Sequence, residues 1–276
     1  MASTCLAEAG STKCLDKIKR LEKVLGKMDS VVVAFSGGVD SSFLLKVARD
    51  TLSKEKVLAV TAVSDTYMKR ELAQAKKFAR SLGIRHKIIY TNEMGDKKFI
   101  KNPKNRCYYC KKELFVKLKN MAKGIVVDAS NVDDKSDYRP GSKAKKELGV
   151  RSPLQEAGIT KQEIRRFSKK RGLKTWNFPP MPCLASRIPY GERISKLTLQ
   201  RIEKAENFIR VLGVDLVRVR YHNDTARLEV EKKDVKRFFN QRFCDKIVRR
   251  LKKLGFSYIA LDLEGYRTGS LNEVLK

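Results

Sequence analysis

An apolar run at residues 31–35 stops at Ser36-Gly37-Gly38-Val39-Asp40-Ser41-Ser42, and apolar residues then resume at helical spacing. This pattern predicts a buried strand, a tight loop and a helix. The two glycines permit positive φ and leave room for backbone N–H groups to surround an anion at the positive end of the helix. We therefore expect a phosphate-binding loop. It is not a Walker A loop, because the chain contains no Gly-x4-Gly-Lys-Ser/Thr run.

The loop resembles the pyrophosphate (PP) loop of the ATP pyrophosphatase superfamily, whose members split ATP between the α and β phosphates and adenylate a substrate. A flexible turn between a strand and a helix is the alternative. The resemblance implies ATP contacts from Ser36, Gly37, Gly38, Val39, Asp40, Ser41 and Ser42. Asp40, at the helix start, is a candidate ligand for Mg²⁺, which prefers a carboxylate together with phosphate oxygens. An ordinary helix cap is the other interpretation of Asp40.

The next part of the chain alternates strands and helices. Strands are predicted at 57–63, 85–90 and 124–128, with helices at 69–82 and 111–121. This order predicts an α/β fold with a doubly wound parallel sheet, whose ligand sites lie at the carboxyl ends of the strands. At such ends, Ser64 is expected to contact adenosine, and Asp133 and Asp134 are candidates for the nucleotide or metal site or for a charged turn.

The pattern changes after a loop at 176–191, where four prolines exclude a regular helix. Beyond it the sequence predicts a small α+β domain, with helices at 197–212 and 234–254 and strands at 215–221, 227–230 and 257–261. The predicted domains are a flexible tail at 1–14, a PP-loop domain at 15–180, a cysteine-bearing linker at 181–195 and the α+β domain at 196–276.

The composition is strongly basic, with 61 Lys and Arg against 31 Asp and Glu and a net charge of +30. Such an excess indicates anionic partners or substrates, nucleic acid included, although a solvated basic surface would give the same count. The chain has no run of 18 apolar residues and no signal-peptide pattern, so we expect a cytoplasmic protein that does not contact a membrane. In a reducing compartment its six cysteines favour metal or sulfur chemistry over disulfides.

Two of these cysteines form the motif Cys107-Tyr108-Tyr109-Cys110 at the start of a predicted helix, which presents two thiolates to one ion or cluster. A zinc site needs two further ligands, and the two histidines of the chain lie in unrelated segments. Cys183 lies on the proline-rich loop and supplies a third thiol if that loop folds over the strand ends. Three thiolates suit an iron–sulfur cluster with one open iron. Ordinary small side chains are the alternative for all three residues.

Several segments together resemble the LarE family of ATP-dependent sulfur transferases, from about Leu15 to Asn272. They are the loop 36–42, the run 106–111, the segments 133–134 and 137–141, and the segments 183–187 and 189–191. The resemblance implies that the chain adenylates a carboxylate of pyridinium-3,5-biscarboxylic acid mononucleotide, releases pyrophosphate and inserts sulfur. The product serves biosynthesis of the nickel-pincer nucleotide cofactor of lactate racemase.

Members of this family obtain sulfur in two ways. Some sacrifice the sulfur of the cysteine that matches Cys183, whereas others hold a four-iron four-sulfur cluster on three cysteines. This chain has all three, at Cys107, Cys110 and Cys183, so the resemblance favours the cluster. The implied cofactors are ATP, Mg²⁺ and the 4Fe–4S cluster. The implied partners are a sulfide or persulfide donor and a downstream nickel-inserting enzyme, and a homo-oligomer is expected.

The second domain carries the expected substrate site. Arg218 and Arg220 alternate on one face of a predicted strand, and guanidinium groups suit phosphate and carboxylate, although a solvated strand face is the alternative. The resemblance implies that these two and Arg267 bind the substrate phosphate. It also implies that Arg187 lies near the reacting carboxylate, that Glu206 lines the same cavity, and that both act with Cys183 as catalytic residues.

Two other functions remain open on the sequence. The positive charge fits a tRNA thiolase of the same superfamily, but the chain shows no recognisable RNA-binding module, so nucleic acid is not the expected partner. A nucleotide-sensing or iron–sulfur scaffold protein would bind ATP without chemistry. Pyrophosphate release with and without the pyridinium dicarboxylate separates an enzyme from such a scaffold.

Overall fold

The computed structural model describes residues 15–135 and 138–275, so the predicted tail at 1–14 lies outside the described residues. The chain divides into two compact units that alternate along the sequence. Unit 1 comprises Met1–Ser64, Lys69–Thr91 and Cys107–Phe178 in their described parts, and unit 2 comprises Asp65–Met68, Asn92–Arg106 and Pro179–Lys276. None of the helices in the described ranges has both the length and the apolar composition needed to cross a membrane.

The described elements are as follows, in chain order. The strands are β1 (Val31–Ala34), β2 (Val57–Val63), β3 (Arg85–Tyr90), β4 (Ile125–Val127), β5 (Val217–His222), β6 (Thr225–Val230) and β7 (Tyr258–Leu261). The helices are α1 (15–26), α2 (Val39–Leu52), α3 (Lys69–Ser81), α4 (Lys97–Ile100), α5 (Arg106–Met121), α6 (Gly141–Glu147), α7 (Pro153–Glu156), α8 (Lys161–Lys170), α9 (Lys196–Val211), α10 (Lys232–Val235) and α11 (Gln241–Lys253). Short 3₁₀ turns include Val132–Lys135, Leu184–Arg187 and Lys236–Phe239.

Unit 1 is built on a parallel four-stranded sheet in the order β3-β2-β1-β4. The chain adds β2 and β3 on one side of β1 and then crosses to place β4 on the other side. Ligands of such sheets bind where the strand order reverses, at the carboxyl ends of the strands. That point is the end of β1, where the loop 36–42 begins. The predicted α/β fold with a parallel central sheet is confirmed.

The apolar run of β1 serves both faces of this sheet, because successive side chains of a strand point in opposite directions. Val31 and Val33 belong to the core that α1, α2, α3 and α8 cover. Val32 belongs to the core on which Phe115 and Leu118 of α5 pack. Helices on both faces therefore explain why the strand is apolar throughout rather than alternating.

Unit 2 contains a separate three-stranded sheet in the order β5-β6-β7. β5 and β6 are antiparallel and are joined at Asn223 and Asp224, both with positive φ, as a tight hairpin turn requires. β7 is parallel to β6. The predicted single helix at 234–254 is wrong, because the Asn240 side chain accepts the N–H of Phe243 at 3.0 Å and caps a new helix.

Candidate functional site

The loop after β1 has the backbone of an anion cradle. Gly37 has φ +80°, and a Cβ at this position would lie 3.1 Å from the Cβ and 3.3 Å from the Cα of Ala75. Gly38 precedes α2 as its N-cap, with φ −74°, and has no side chain to occupy the first N–H groups of the helix. These groups are left for an anion at the positive end of the helix.

Serine hydroxyls fix the shape of this loop. The Ser36 and Ser41 hydroxyl oxygens lie 3.1 Å apart, and the Ser41 hydroxyl donates to the Gly38 carbonyl at 3.2 Å. The Gly38 N–H donates to the Ser36 hydroxyl at 3.3 Å. Ser64 directly follows β2, which is parallel to β1 and adjacent to it. Ser64 and the loop after β1 therefore lie at the same edge of the sheet.

Asp40 connects the loop to helix α8. One carboxylate oxygen forms an ion pair with Lys161, and the other oxygen is buried without a hydrogen-bond partner among the described residues. The backbone N–H of Lys161 donates to Asp133 at 2.8 Å. Lys161 thus brings Asp133 and the phosphate loop together, and the unpartnered oxygen of Asp40 is available for a cation.

Two further carboxylates belong to this acidic region. Burial raises the pKa of Asp134, and the nearby charges of Asp40 and Asp128 add to the rise, while a hydrogen bond from Asn131 and the Arg139 cation oppose it. Asp128, after β4, accepts from the hydroxyls of Ser152 and Ser130, each at 2.6 Å. The end of β4 therefore carries ordered carboxyl groups, of which Asp134 lies close enough to Asp40 for their charges to interact.

Cys107 and Cys110 are the second and fifth residues of α5, and their separation of three residues puts them on one helix face. Cys107 is exposed, Cys110 is half-buried, and neither is in a disulfide. Between them Tyr108 donates to Glu147 at 2.8 Å, with the ammonium groups of Lys112 and Lys143 at 5.6 and 5.7 Å from its ring centre. Among the described residues of this unit, no third Cys, His, Asp or Glu joins the pair to complete a metal-binding group.

Cys183 belongs to unit 2, where it precedes the 3₁₀ turn Leu184–Arg187 and is exposed. Its carbonyl accepts from the Ser186 hydroxyl at 2.8 Å. The next N–H, that of Leu184, donates to the Thr66 carbonyl at 2.8 Å. The predicted proline-rich loop is thus ordered around the cysteine without a regular helix.

A buried ion pair lies directly after this turn. The guanidinium of Arg187 donates to both oxygens of Glu206, at 2.8 and 3.0 Å, and both side chains are fully buried. Arg210 pairs with the same carboxylate, which also accepts the Val219 N–H at 3.1 Å. Burial alone would raise the pKa of Glu206, but the cations of Arg187, Arg210 and Arg218 together outweigh burial and lower that pKa to about 2. Glu206 is therefore an anion that pairs with Arg187 and Arg210 and also attracts the Arg218 cation.

Arg218 and Arg220 on β5 are also buried, so they do not form a solvated strand face. Arg220 donates to Glu229 and to the Ser270 hydroxyl, both at 2.7 Å, so its charge is neutralised. Arg218 has no ion pair within the described ranges, and its Nε–H is buried without a partner. Burial, followed by the repulsion of Arg187, lowers the pKa of Arg218 to about 10.

The sequence is similar to known proteins over nearly its whole length. It is 37% identical to the pyridinium-3,5-bisthiocarboxylic acid mononucleotide synthase of Lactiplantibacillus plantarum over 92% of this chain and 93% of that protein. The chain belongs to the LarE family. Residues 15–126 match the NAD synthase family, and a stretch of 59 residues is 41% identical to an NH3-dependent NAD+ synthetase of Pyrococcus furiosus. This LarE-family chain is thus an ATP-dependent sulfur transferase of the PP-loop class.

Two other relatives have no assigned activity. An uncharacterised protein of Synechocystis is 43% identical over 94% of this chain and 98% of that protein. An uncharacterised protein of Methanocaldococcus jannaschii is 32% identical over 93% of this chain and 98% of that protein. The LarE-family sequence therefore extends through both units of the chain.

Arg267, which was predicted to bind the substrate phosphate of this LarE-family chain, already forms ion pairs with carboxylates. Arg267 donates to both oxygens of Glu273, at 3.0 and 3.1 Å, and lies 3.0 Å from Glu264. The hydrogen bond with Glu273 is the main cause that raises the pKa of Arg267. Any phosphate at this position has to compete with carboxylates.

The sequence analysis did not single out Lys161, Arg210 and Glu229, although all three pair with predicted site residues. Lys161 follows Thr160, which caps α8, and this position at a helix start is the one local signal that Lys161 carries. Arg210 lies four residues after Glu206 on α9, a spacing that favours ion pairs on a helix. Glu229 offers no such signal, since its partner is on the neighbouring strand.

Proposed function

We propose that this chain adenylates a carboxylate of pyridinium-3,5-biscarboxylic acid mononucleotide with ATP and converts it to a thiocarboxylate for nickel-pincer cofactor biosynthesis. In the first step a carboxylate oxygen attacks the α phosphorus of ATP, and pyrophosphate leaves. In the second step a sulfur nucleophile attacks the acyl carbon, and AMP leaves. The name of the L. plantarum relative supports this substrate.

The observation that carries the proposal is that Arg218 is buried without a direct ion pair among the described residues. Three buried arginines surround the Cys183 segment, and within the described ranges Arg187 and Arg220 form direct ion pairs with carboxylates, whereas Arg218 forms none. Glu206 attracts Arg218, but this one carboxylate is already paired with Arg187 and Arg210. A buried cation without a counter-ion is costly, and an anionic ligand removes that cost. A phosphate or carboxylate of the substrate is such a ligand, so we assign substrate binding first to Arg218, with Arg220 and Arg267 as further candidates.

ATP is assigned to unit 1. The cradle at Gly37 and Gly38 suits its phosphates, and Ser64 is the proposed adenosine contact. The buried, unpartnered oxygen of Asp40 fits a Mg²⁺ ligand, with Asp133 and Asp134 nearby. The proposed division of labour gives nucleotide activation to the PP-loop domain at 15–180 and substrate binding to 196–276, with the linker 181–195 carrying Cys183.

The donor set for a 4Fe–4S cluster consists of Cys107, Cys110 and Cys183. These three thiols are chemically suitable ligands for the cluster, because Cys107 and Cys110 lie about one helical turn apart and all three cysteines are at least partly exposed. Three protein thiolates leave one iron without a protein ligand, and such a cluster supplies a binding position for exogenous sulfide. The alternative is that Cys183 gives up its own sulfur. The proposed partners remain a sulfide or persulfide donor and a nickel-inserting enzyme that receives the product.

The decisive experiment measures pyrophosphate release from ATP and Mg²⁺ with three additions: the pyridinium dicarboxylate mononucleotide, a bulk tRNA preparation, and buffer. Release that requires the mononucleotide supports the proposal. Release stimulated by tRNA alone, with tight binding at physiological salt, would replace it with a tRNA thiolase, the function that the net charge of +30 favours. ATP binding without release under every condition would indicate a scaffold protein.

A further inference from the structure

Helix α11 carries a row of positive charge along its solvent side. Arg242, Lys246, Arg249 and Lys253 are all exposed, and each is three or four residues from the next, a spacing that puts them on one face of the helix. These four residues are here called the cationic stripe. Because an α-helix rises about 1.5 Å per residue, the stripe extends over about 16 Å.

The other side of α11 is occupied by unit 2 itself. Ile247 and Leu251 are fully buried, and the Cys244 thiol donates to the Phe238 carbonyl at 2.9 Å. The Asn240 side chain caps the start of the helix. The apolar side chains of α11 are therefore used within the protein, and the stripe is the side that a partner can reach.

None of the four cations of the stripe forms an ion pair with a carboxylate among the described residues. Asp245, the one acidic side chain of α11, accepts from the Gln241 amide at 2.9 Å instead. Like charges three or four residues apart on a helix repel one another. Arg242 is also repelled by the positive end of the helix, whose first turn contains no acidic residue. An anion bound along the stripe would remove this repulsion and stabilise the helix.

The partner that suits such a stripe carries negative charges of one sign in a row. Nucleic acid has a phosphate at every nucleotide, whereas protein surfaces intersperse both signs and protein interfaces are depleted in lysine. A lipid surface would be contacted by charge alone, since Ile247 and Leu251 are buried. Phe239, the residue before the cap of α11, is 84% exposed, and aromatic side chains beside a cationic surface stack on unpaired bases.

We infer that the cationic stripe of α11 binds the phosphates of single-stranded nucleic acid, with Phe239 stacking on a base. Phosphate contacts carry no sequence information, so the binding is independent of base sequence. This surface is additional to the proposed function and does not make RNA the substrate of sulfur transfer. It gives a role to part of the net charge of +30 that substrate binding does not use.

Fluorescence anisotropy with a labelled single-stranded oligoribonucleotide of about 20 nucleotides tests this inference. The full chain is titrated without ATP or mononucleotide at several salt concentrations. The variant combines Arg242→Gln with Lys246→Gln, which removes two charges of the stripe and keeps good helix formers. The matched control combines Lys19→Gln with Lys23→Gln, two exposed cations at the same spacing on α1, where Asp16 shares their face.

The stripe variant should bind about tenfold more weakly at low salt, and the slope of log affinity against log salt should become shallower by about 1.4, because each phosphate contact of a single strand contributes about 0.7. The α1 control should keep the wild-type slope. In urea unfolding the stripe variant should be at least as stable as the wild type, because it removes repulsion. Weaker binding will then not be due to unfolding.

Base stacking is tested separately. Phe239→Ala should weaken binding of the single strand about tenfold and leave the salt slope unchanged. Val211→Ala is its control, because Val211 is an apolar residue of the same unit that is also 84% exposed. That variant should bind as the wild type does. Unchanged binding by Phe239→Ala would overturn the assignment to single strands.

Two further results would overturn the inference. One is the same salt slope for the stripe variant as for the α1 control. The other is binding of polyglutamate, or of vesicles of phosphatidylserine and phosphatidylcholine, as tight as that of the oligonucleotide at the same salt concentration, which would assign the stripe to an acidic protein or to a membrane. Pyrophosphate release enters none of these measurements, so a failure of the proposed function would leave this test unaffected.

Discussion

Lys161, at the first position of α8, forms an ion pair with Asp40 in the first turn of α2. The same turn of α8 is capped reciprocally by Thr160 and Glu163, and Glu163 also pairs with Lys17 of α1 at 2.8 Å. The cation beside the phosphate loop is therefore held on a rigid helix start rather than on a mobile loop. At that position we expect it to act on the charge of a nucleotide bound to the loop 36–42.

The first prediction concerns this cation. Lys161→Met should raise the KM for ATP in the pyrophosphate-release assay about tenfold, the cost of one lost charge contact with the phosphate region. The control is Lys46→Met, which removes another ion pair of α2, with Asp50. That variant should keep the wild-type KM. Equal behaviour of the two variants would exclude a role for Lys161 in nucleotide binding.

The second prediction separates the glycines of the loop. Gly37→Ala should abolish ATP turnover, because positive φ costs an L-residue roughly 1–2 kcal/mol and the new Cβ would also press on Ala75. Gly83→Ala is the control, with φ +63° but open space around its Cβ. It should lose stability by a similar amount in urea unfolding and retain activity. Normal turnover by Gly37→Ala would remove this loop from the active site.

The third prediction separates Arg218 from Arg220. Arg218→Ala should weaken mononucleotide binding by about ten to a hundredfold in calorimetry and leave ATP binding unchanged. This variant loses hydrogen bonds to the Val217 and Pro180 carbonyls but no direct ion pair within the described ranges, so it should destabilise the fold less than Arg220→Ala does. Arg220→Ala should instead destabilise the fold by roughly 3 kcal/mol, since it deprives the buried Glu229 of one cation. Arg227 remains 3.3 Å from Glu229, which limits that loss.

The strand and loop around Ser36 could be predicted from sequence because their signals are local. The apolar run of β1, the two glycines and the helical spacing of α2 all lie within about 20 residues of one another. The resemblance to the LarE family added the substrate class, which no local pattern contains. One detail differs from the expectation, because positive φ occurs at Gly37 and not at Gly38.

The sequence could not predict which of the basic side chains has a carboxylate partner. Arg218 and Arg220 are equivalent in the sequence pattern, and they differ only because Glu229 on the neighbouring strand reaches one of them. Lys161 meets Asp40 across 121 positions of sequence. Such pairs depend on tertiary packing, which hydrophobic periodicity does not encode at the level of single side chains.

The fourth prediction is a pH dependence of stability that depends on Glu206. Its pKa falls from 4.5 to about 2 in the folded chain, so its contribution is complete above pH 4.5 and is lost as the pH falls toward 2. The loss should be about 3 kcal/mol of unfolding free energy. Glu206→Gln should be less stable than the wild type at pH 7, and urea unfolding should show this difference shrinking below pH 4.5.

Glu264→Gln is the control for this measurement, because Glu264 also pairs with an arginine, Arg267, but is 73% exposed. Because an exposed ion pair contributes little to stability, this variant should differ little from the wild type. A difference between Glu206→Gln and the wild type that stays constant with pH would show that the Arg187 cation does not stabilise the ionised carboxyl in the folded state.

The fifth prediction distinguishes the two sources of sulfur. If three thiolates hold a cluster, Cys107→Ala or Cys110→Ala should each abolish bound iron and multiple turnover and leave ATP binding intact. Cys244→Ala is the matched control, since the Cys244 thiol donates to the Phe238 carbonyl at 2.9 Å and serves packing. The Cys244→Ala variant should retain iron.

If Cys183 gives up its own sulfur, Cys107 and Cys110 in α5 are dispensable. Mass spectrometry after the reaction should then find Cys183 lighter by roughly 34 Da, the mass of hydrogen sulfide, in proportion to the product formed. That loss of mass in the wild-type chain would refute the cluster, because a cluster that carries exogenous sulfide leaves every cysteine intact.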